Sequence, residues 1–230
     1  MTEPVKTRPY RSALRAERSE RTREAVLDAA RDLFTTTGYA GTTVRAIADR
    51  AGVNPDTLYA AVGRKPQIML ALVESALSGQ SEPVSAQERD YVKAIRQAER
   101  ATEMIDLYAA AITAIQVRLA PIHAALQVAA LTDSHCADVW RQVAERRAAN
   151  MMLLAQDLRA TGELRGDLSD RRVADVIWSM NAAEYWDLLV VQRGWSPEEL
   201  RTWLADAWKR LLLSDQTTAA ASREGQRGPS

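Results

Sequence analysis

The chain has 230 residues and equal numbers of basic and acidic side chains, 30 of each, so its formal net charge is zero. Nearly half of the residues are hydrophobic, which is typical of a soluble globular protein. The single cysteine, Cys136, excludes an intrachain disulfide framework and favours a cytoplasmic location. We find no signal-peptide pattern and no stretch of about 20 apolar residues, so we expect no membrane segment.

The two ends of the chain differ in charge. Residues 1–80 carry 12 Lys and Arg against 9 Asp and Glu, while the other residues carry an excess of acidic groups. Residues 1–18 lack apolar periodicity and predict a flexible basic arm, which could enter a minor groove or only attract phosphate. Its basic side chains are Lys6, Arg8, Arg11 and Arg15.

Four helices are predicted in a first domain, residues 19–79. Apolar residues at helical spacing and local stop signals place them. They cover residues 19–35, residues 43–51 before a turn at Gly52, a segment that begins at Asn54-Pro55-Asp56 and ends near Gly63, and a segment from Pro66 to Gly79. Asparagine, proline and aspartate in this order are typical of an N-cap, a first-turn proline and a first-turn acid.

Longer helices are predicted in a second domain, residues 86–213. They cover residues 87–100, 102–120, 122–131, 134–160, 170–192 and 196–213. Pro121 is expected to break or kink the chain. The composition of residues 214–230 predicts a disordered tail. No alternating strand pattern is present, so the predicted fold class is all-α, with about nine to ten helices.

A glycine turn between two short helices, at residues 43–62, indicates a helix-turn-helix. This geometry lays a helix in a major groove about 12 Å wide. The run AVLDAARDLFTTTGYAGTTVRAIADRAGVNPDTLYAAVGRKPQIMLALV strongly resembles the DNA-binding domain of TetR/AcrR-family transcriptional regulators over about 50 residues. The remainder resembles the regulatory domain of that family in length and helicity. Tyr59 is followed by Ala60 and Ala61, where the family usually carries aromatic residues or histidine.

Physics and resemblance together assign eight candidate DNA contacts. Thr43 suits a phosphate at a helix start, and Arg45 could reach guanine or phosphate. Asn54 could read a base, unless its oxygen only caps its own helix. Asp56 could accept a hydrogen bond from cytosine or only favour the helix dipole. The full set is Thr43, Arg45, Asn54, Pro55, Asp56, Thr57, Tyr59 and Lys65.

The resemblance also implies an effector pocket in the middle helices and a homodimer. Aromatic and polar side chains on helices that are expected to converge favour a small apolar or aromatic effector. The candidates are Tyr108, Gln116, His123, Trp140, Asn150, Trp178, Asn181 and Tyr185. The helix predicted at residues 170–192 is apolar on two faces, which favours dimerisation through it and through residues 196–213.

The predicted function is a transcription regulator, and a repressor released from a palindromic operator by its effector is the version that the resemblance implies. An activator, or a dimeric binding module that has lost DNA binding, stays an alternative. We find no phosphate-binding loop, catalytic motif or paired-cysteine metal site, so we expect neither an enzyme nor a cofactor. His135 and Cys136 are adjacent, which suits neither a catalytic pair nor a metal site.

Overall fold

The structure is a computed structural model, and it describes residues 8–81 and 84–214, with side chains from residue 15 onward. Lys6 and all of the predicted tail except Ser214 therefore lie outside the described residues. The described residues form ten α-helices and no strand, apart from one isolated bridge between Leu164 and Leu213. The all-α prediction, with nine to ten helices, is confirmed.

The described residues divide into two compact units. Residues up to Val84 and residues 121–141 form the first unit, and Ser85–Ala120 and the residues from Gln142 form the second. The helices are α1 (Arg8–Thr36), α2 (Val44–Ala51), α3 (Pro55–Ala61), α4 (Lys65–Ser78), α5 (Asp90–Gln97), α6 (Ala101–Ala130), α7 (Ser134–Ala160), α8 (Asp170–Met180), α9 (Ala183–Trp186) and α10 (Pro197–Leu212). A 3-10 turn, Ala86–Glu88, precedes α5, and a π-helical segment, Asp187–Gln192, follows α9.

Helix α1 begins at Arg8 and includes much of the segment that the sequence predicted to be a flexible arm. The side chains of Arg8 and Arg11 lie outside those described. Arginine, glutamate and alanine have high intrinsic helix propensity, so the segment needs no apolar stripe to form a helix. An exposed ion pair, Arg21 Nη2 to Glu17 Oε1 at 2.6 Å, adds local support.

The core of the first unit consists of the apolar side chains that define the helical periodicity of the N-terminal sequence. Leu27 and Phe34 of α1, Ile47 of α2, Leu58 of α3 and Leu72 of α4 are all buried. A buried leucine or isoleucine contributes about 1.5–3 kcal/mol relative to an exposed one. Each of the short helices is therefore held mainly by its packing, since a helix of this length is marginal alone.

Pro121 does not end a helix, because α6 continues from Ala101 to Ala130 with this proline inside it. The predicted break is wrong. An internal proline removes one backbone hydrogen bond at a cost of about 3 kcal/mol or more. Ile122 and Leu126 are fully buried on its C-terminal side, and this burial offsets the cost.

Helix α6 also bears on the expectation that no apolar stretch is long enough to cross a membrane. By length and composition alone, α6 is long and apolar enough to do so, and 44 % of the window concerned is buried within the chain. The apolar content of this stretch was therefore underestimated. A core helix of a globular protein passes the same two criteria, and buried Gln116 and Thr113 lie on α6.

The continuous helix predicted over residues 170–192 is interrupted at Asn181, which caps the end of α8. The reason is a competing hydrogen bond. Gln116 Nε2 donates to the backbone carbonyl of Asn181 at 2.7 Å. Tyr185 N then donates to the carbonyl of Ala182 at 3.1 Å instead of continuing the α-helical ladder from Asn181. Because the chain turns here, the buried side chain of Asn181 is held among the helices of the second unit.

Candidate nucleic-acid interface and effector residues

The turn between α2 and α3 is defined by side-chain caps on both helices. Thr43 Oγ1 accepts from Ala46 N at 3.1 Å, and Asn54 Oδ1 accepts from Asp56 N at 2.9 Å. Gly52 ends α2 with φ +67°, a left-handed conformation that glycine adopts without steric cost. The fully buried Leu58 anchors the seven-residue α3 in the core of the first unit. These local signals explain why the sequence predicted this motif well.

The two caps leave hydrogen-bond donors unused. A hydroxyl that accepts one hydrogen bond can still donate its proton, and an asparagine that spends its oxygen retains two N–H donors. Thr43 and Asn54 are both exposed, so these donors face solvent. Asn54 can therefore donate to a base or a phosphate, and the second lone pair of its oxygen can still accept a hydrogen bond, as the bidentate pair with adenine requires.

The other candidates on α2 and α3 are accessible to differing degrees. Arg45, Asp56 and Thr57 are exposed, and Pro55 is partly buried. Tyr59 is 47 % exposed although it is a large aromatic residue. Such exposure of a side chain with a phenolic O–H suits a contact outside the chain.

Lys65 has internal partners that the sequence did not indicate. Its Nζ donates to the backbone carbonyl of Tyr39 at 2.7 Å and lies 4.0 Å from the centroid of the Tyr39 ring. Burial lowers the pKa of Lys65. Because the ammonium group is held by its own chain, fewer of its donors are available to DNA than an exposed lysine would offer.

Tyr39 connects this lysine to the start of α7. Its O–H donates to Asp133 Oδ2 at 3.2 Å, and its ring packs against Phe34 with a centroid distance of 5.3 Å. Burial raises the pKa of the Tyr39 phenol. Asp133 in turn accepts from the backbone N–H groups of His135 and Cys136 at 2.9 and 3.1 Å, which makes it the cap of α7.

The electrostatics of this cluster are those of a structural site. Although burial opposes it, hydrogen bonds from Cys136 N, Tyr39 and His135 N lower the pKa of Asp133. Burial raises the pKa of the Cys136 thiol, which disfavours a reactive thiolate. Among the described residues, no group of three histidine, cysteine, aspartate or glutamate side chains could hold a metal ion.

An open cleft of about 890 Å³ lies beside this cluster, between α2, α3 and the start of α4. Tyr39, Tyr59, Arg64 and Lys65 contribute to its lining. Arg64 is exposed, and its backbone N–H donates to Gln67 Oε1 at 2.7 Å, which starts α4. Arg64 is not among the predicted DNA contacts, because the family resemblance points to Lys65 beside it.

Arg23 of α1 supports the C-terminal end of α3. Its Nη1 donates to the carbonyl of Ala61 at 3.1 Å, and its Nε donates to the carbonyl of Ser81 at 2.9 Å. A basic side chain at a helix C-terminus satisfies a carbonyl that has no partner within the helix. The Ala60-Ala61 segment, where the family usually carries larger residues, is thus held by a contact from α1.

Three of the predicted effector residues are brought together in the second unit. Asn181 Nδ2 donates to Tyr108 Oη at 2.6 Å, and Gln116 Nε2 donates to the backbone carbonyl of Asn181 at 2.7 Å. All three side chains are buried. Trp178 joins them through Arg147, whose guanidinium lies 4.3 Å from the Trp178 ring centroid and donates to Asn181 Oδ1 at 3.2 Å.

The other predicted effector residues have different neighbours. The rings of His123 and Trp140 pack against each other at a tilt of 41° in the first unit, with a centroid distance of 4.5 Å. Tyr185 accepts a hydrogen bond from Trp203 Nε1 at 2.8 Å. Asn150 lies partly buried on α7. Arg147 was not predicted, because one arginine among several on a helix carries no sequence signal of burial.

Comparison with known proteins gives a consistent picture. Residues 26–72 match the sequence profile described as "Bacterial regulatory proteins, tetR family". No curated protein matches the sequence. Among solved structures, a protein assigned to the TetR-family transcriptional regulators from Mesorhizobium loti MAFF303099 is 20 % identical, with a TM-score of 0.64 over 86 % of this chain and 99 % of that one.

Two further structures are similar to a comparable degree. One, assigned to the same family and from Rhodococcus sp., is 17 % identical, with a TM-score of 0.63 over 84 % of this chain and 99 % of the other. A transcriptional regulator from Saccharomonospora viridis, solved in complex with choline, is 16 % identical, with a TM-score of 0.61 over 84 % of this chain and 98 % of the other. These proteins are regulators rather than enzymes. Residues 26–72 therefore match the tetR family of bacterial regulatory proteins, and the chain shares its fold with structures assigned to that family.

Proposed function

We propose that this protein is a regulator that binds a specific duplex DNA site through α2 and α3. The observation that carries the proposal is the arrangement of α3. This helix is short, it is anchored by the buried Leu58, and it exposes Asn54, Asp56, Thr57 and Tyr59. A short helix with compact exposed polar side chains can enter a major groove closely enough to reach base edges.

Each exposed side chain has a contact that its chemistry favours. Arg45 can donate two hydrogen bonds to guanine, and Asp56 can accept from cytosine N4. The free N–H groups of Asn54 suit an acceptor on a base, and the hydroxyl of Tyr59 suits a phosphate. We assign the phosphate contact at the start of α4 to the exposed Arg64 in addition to Lys65, because the ammonium of Lys65 already binds the Tyr39 carbonyl.

We further propose a homodimer through residues 170–192 and 196–213. Leu188 and Val191 of the π-helical segment are 52 % and 65 % exposed, and Trp203 and Leu211 of α10 are also exposed. Exposed large apolar side chains on two successive elements favour a buried interface. In a two-fold symmetric dimer, these elements would pair into a four-helix bundle, and the two α3 helices would lie about 34 Å apart to enter successive major grooves.

The effector of this regulator is proposed to be a small molecule bound in the second unit. The similar regulator from S. viridis was solved with choline, which supports a small-molecule site in this fold. The effector releases DNA if it favours a dimer whose two α3 helices are no longer correctly spaced. The coupling free energy between effector binding and DNA binding is then about 1–3 kcal/mol. Activation of transcription is the alternative in which the effector favours the DNA-binding form.

The proposal is tested by titrating the purified protein against labelled duplexes from the DNA upstream of its own coding sequence. We expect binding that survives an excess of unrelated duplex and weakens steeply with salt, because phosphate contacts release counterions. A folded dimer that binds none of these duplexes more tightly than unrelated DNA would favour the rival function, a helical binding module without DNA affinity. Circular dichroism and sedimentation provide the controls for folding and for the dimer.

A further inference from the structure

Arg147 of α7 is a partly buried cation that pairs with no carboxylate of the described residues. Its guanidinium lies over the Trp178 ring at 4.3 Å and donates one hydrogen bond, to the neutral amide oxygen of Asn181. No carboxylate of the described residues lies within 4.0 Å of it, whereas Arg159 on the same helix pairs with Asp170 at 2.9 Å. Glu184 is the acidic residue whose charge acts on Arg147, but it does not reach ion-pair distance.

Burial disfavours this charge. Burial lowers the pKa of Arg147, and the charge of Glu184 opposes that effect only in part. A buried charge is costly unless it is paired and hydrogen-bonded. A guanidinium has five N–H donors, and the structure uses one of them in a hydrogen bond with a described residue. The remaining donors are suited to two parallel hydrogen bonds with one carboxylate.

A second unsatisfied group lies in the same network. Gln116 is 4 % exposed, and its Oε1 has no hydrogen-bond partner among the described residues, although its Nε2 is held by the backbone of Asn181 at 2.7 Å. Asn181 connects Gln116 to Arg147, because its own side-chain oxygen accepts from the arginine. A buried amide oxygen without a donor is uncommon in folded proteins. A donor group on a bound molecule would satisfy it.

We propose that Arg147 and Gln116 form the binding site for a small organic carboxylate. Its anionic group pairs with Arg147, and its hydroxyl or N–H group donates to Gln116 Oε1. The inference rests on the proposed regulatory function. It changes the expected effector from an apolar or aromatic molecule to one that carries an acidic group. Tyr108, Met151 and Trp178 supply the apolar and aromatic surface around the polar pair. A carboxylate fits better than a phosphate, because a single guanidinium balances one negative charge.

The test compares charged and neutral molecules of the same shape on the full chain. Benzoate and salicylate are the carboxylate probes, benzamide and salicylamide are their neutral counterparts, and inorganic phosphate is the competing anion. Thermal denaturation and calorimetry measure binding to the wild type, to Arg147→Gln and to the control Arg146→Gln, which changes an exposed neighbour. Loss of a charge-assisted contact weakens binding by about tenfold or more.

We expect at least one carboxylate to raise the Tm of the wild type and of Arg146→Gln, and to bind about tenfold more weakly to Arg147→Gln. The neutral amides should not distinguish the three proteins. Equal carboxylate binding by Arg147→Gln, a preference for phosphate, or no carboxylate binding at 10 mM by the wild type would each overturn the proposal.

A measurement without ligand tests whether Arg147 has only a structural role. If the charge is unbalanced until a ligand binds, Arg147→Gln should unfold at the same temperature as the wild type or higher. A large fall in Tm would show that Arg147 supports the fold and would overturn the assignment. DNA binding by the unliganded wild type separates this inference from the proposed function. Intact DNA binding without carboxylate binding refutes only the carboxylate site, whereas carboxylate binding without DNA binding refutes the regulatory proposal.

Discussion

Replacing Asn54 separates its cap from its proposed contact with DNA. Asn54→Ser retains a cap acceptor but replaces the two amide N–H donors with one hydroxyl, which is a bond shorter and does not reach the position of the amide nitrogen. Asn54→Ala loses both the cap acceptor and the donors. The cap is one hydrogen bond, 2.9 Å long, at the start of a seven-residue helix. Its loss costs about 0.5–2 kcal/mol of unfolding free energy. We therefore expect Asn54→Ala to be destabilised by this amount and Asn54→Ser to be close to the wild type.

The effect on DNA affinity should differ from the effect on stability. A neutral hydrogen bond contributes about 1 kcal/mol, so a two-fold symmetric dimer that loses one in each half-site should bind about 30-fold more weakly. Both variants should show this loss, which fluorescence anisotropy with a labelled duplex at fixed salt would measure, while urea denaturation would measure stability. If Asn54→Ser binds DNA as tightly as the wild type, Asn54 is only a cap, and its assignment as a DNA contact is wrong.

The other predictions concern the phosphate contacts and the cluster at the start of α7. Tyr59→Phe should weaken binding to all duplexes by a similar factor without loss of stability, since the side chain is 47 % exposed and its hydroxyl makes no hydrogen bond with the described residues. A changed sequence preference in a binding selection would contradict a phosphate role. Arg64→Gln should reduce the slope of log affinity against log salt by about 1 per lost contact in a salt titration. Lys65→Met should lower Tm, because the Tyr39 carbonyl loses its donor. A lower Tm for Arg64→Gln together with a lower salt slope for Lys65→Met would refute the roles given to these two side chains. Asp133→Asn should be less stable than the wild type at neutral pH, because folding lowers the pKa of Asp133 and the ionised carboxylate therefore stabilises the fold. In acid unfolding measurements, the difference should begin to shrink as pH falls below the ordinary pKa of 3.8 and should disappear once pH is below the lowered pKa of the folded state. A difference that does not depend on pH would show that the charge of Asp133 is unimportant.

Local signals made the helix-turn-helix predictable. The caps at Thr43 and Asn54, the turn at Gly52 and the buried Ile47 and Leu58 all act within a few residues of their own position. The boundaries of α2 and α3 therefore follow from sequence to within a residue or two. The resemblance to a known family rests on this same segment, and the matching profile covers residues 26–72.

Long-range contacts determined the features that sequence could not predict. The hydrogen bond from Tyr39 to Asp133 spans 94 residues, and the bond from Gln116 to Asn181 spans 65. The first explains why Lys65 has internal partners close to α7, and the second ends α8 in the middle of an apolar pattern. Arg147 resembles its neighbours in sequence, and only the fold distinguishes it as a cation without a paired carboxylate among the described residues.

Specific duplex recognition is the central claim, and a selection of bound molecules from a pool of random duplexes tests it most directly. The purified full chain is incubated with the pool at physiological salt, and the retained duplexes are amplified and sequenced over successive rounds. We expect enrichment of a two-fold symmetric sequence whose half-sites lie about one helical turn, or a multiple of it, apart. A folded dimer that enriches no sequence, or one without symmetry, would contradict it.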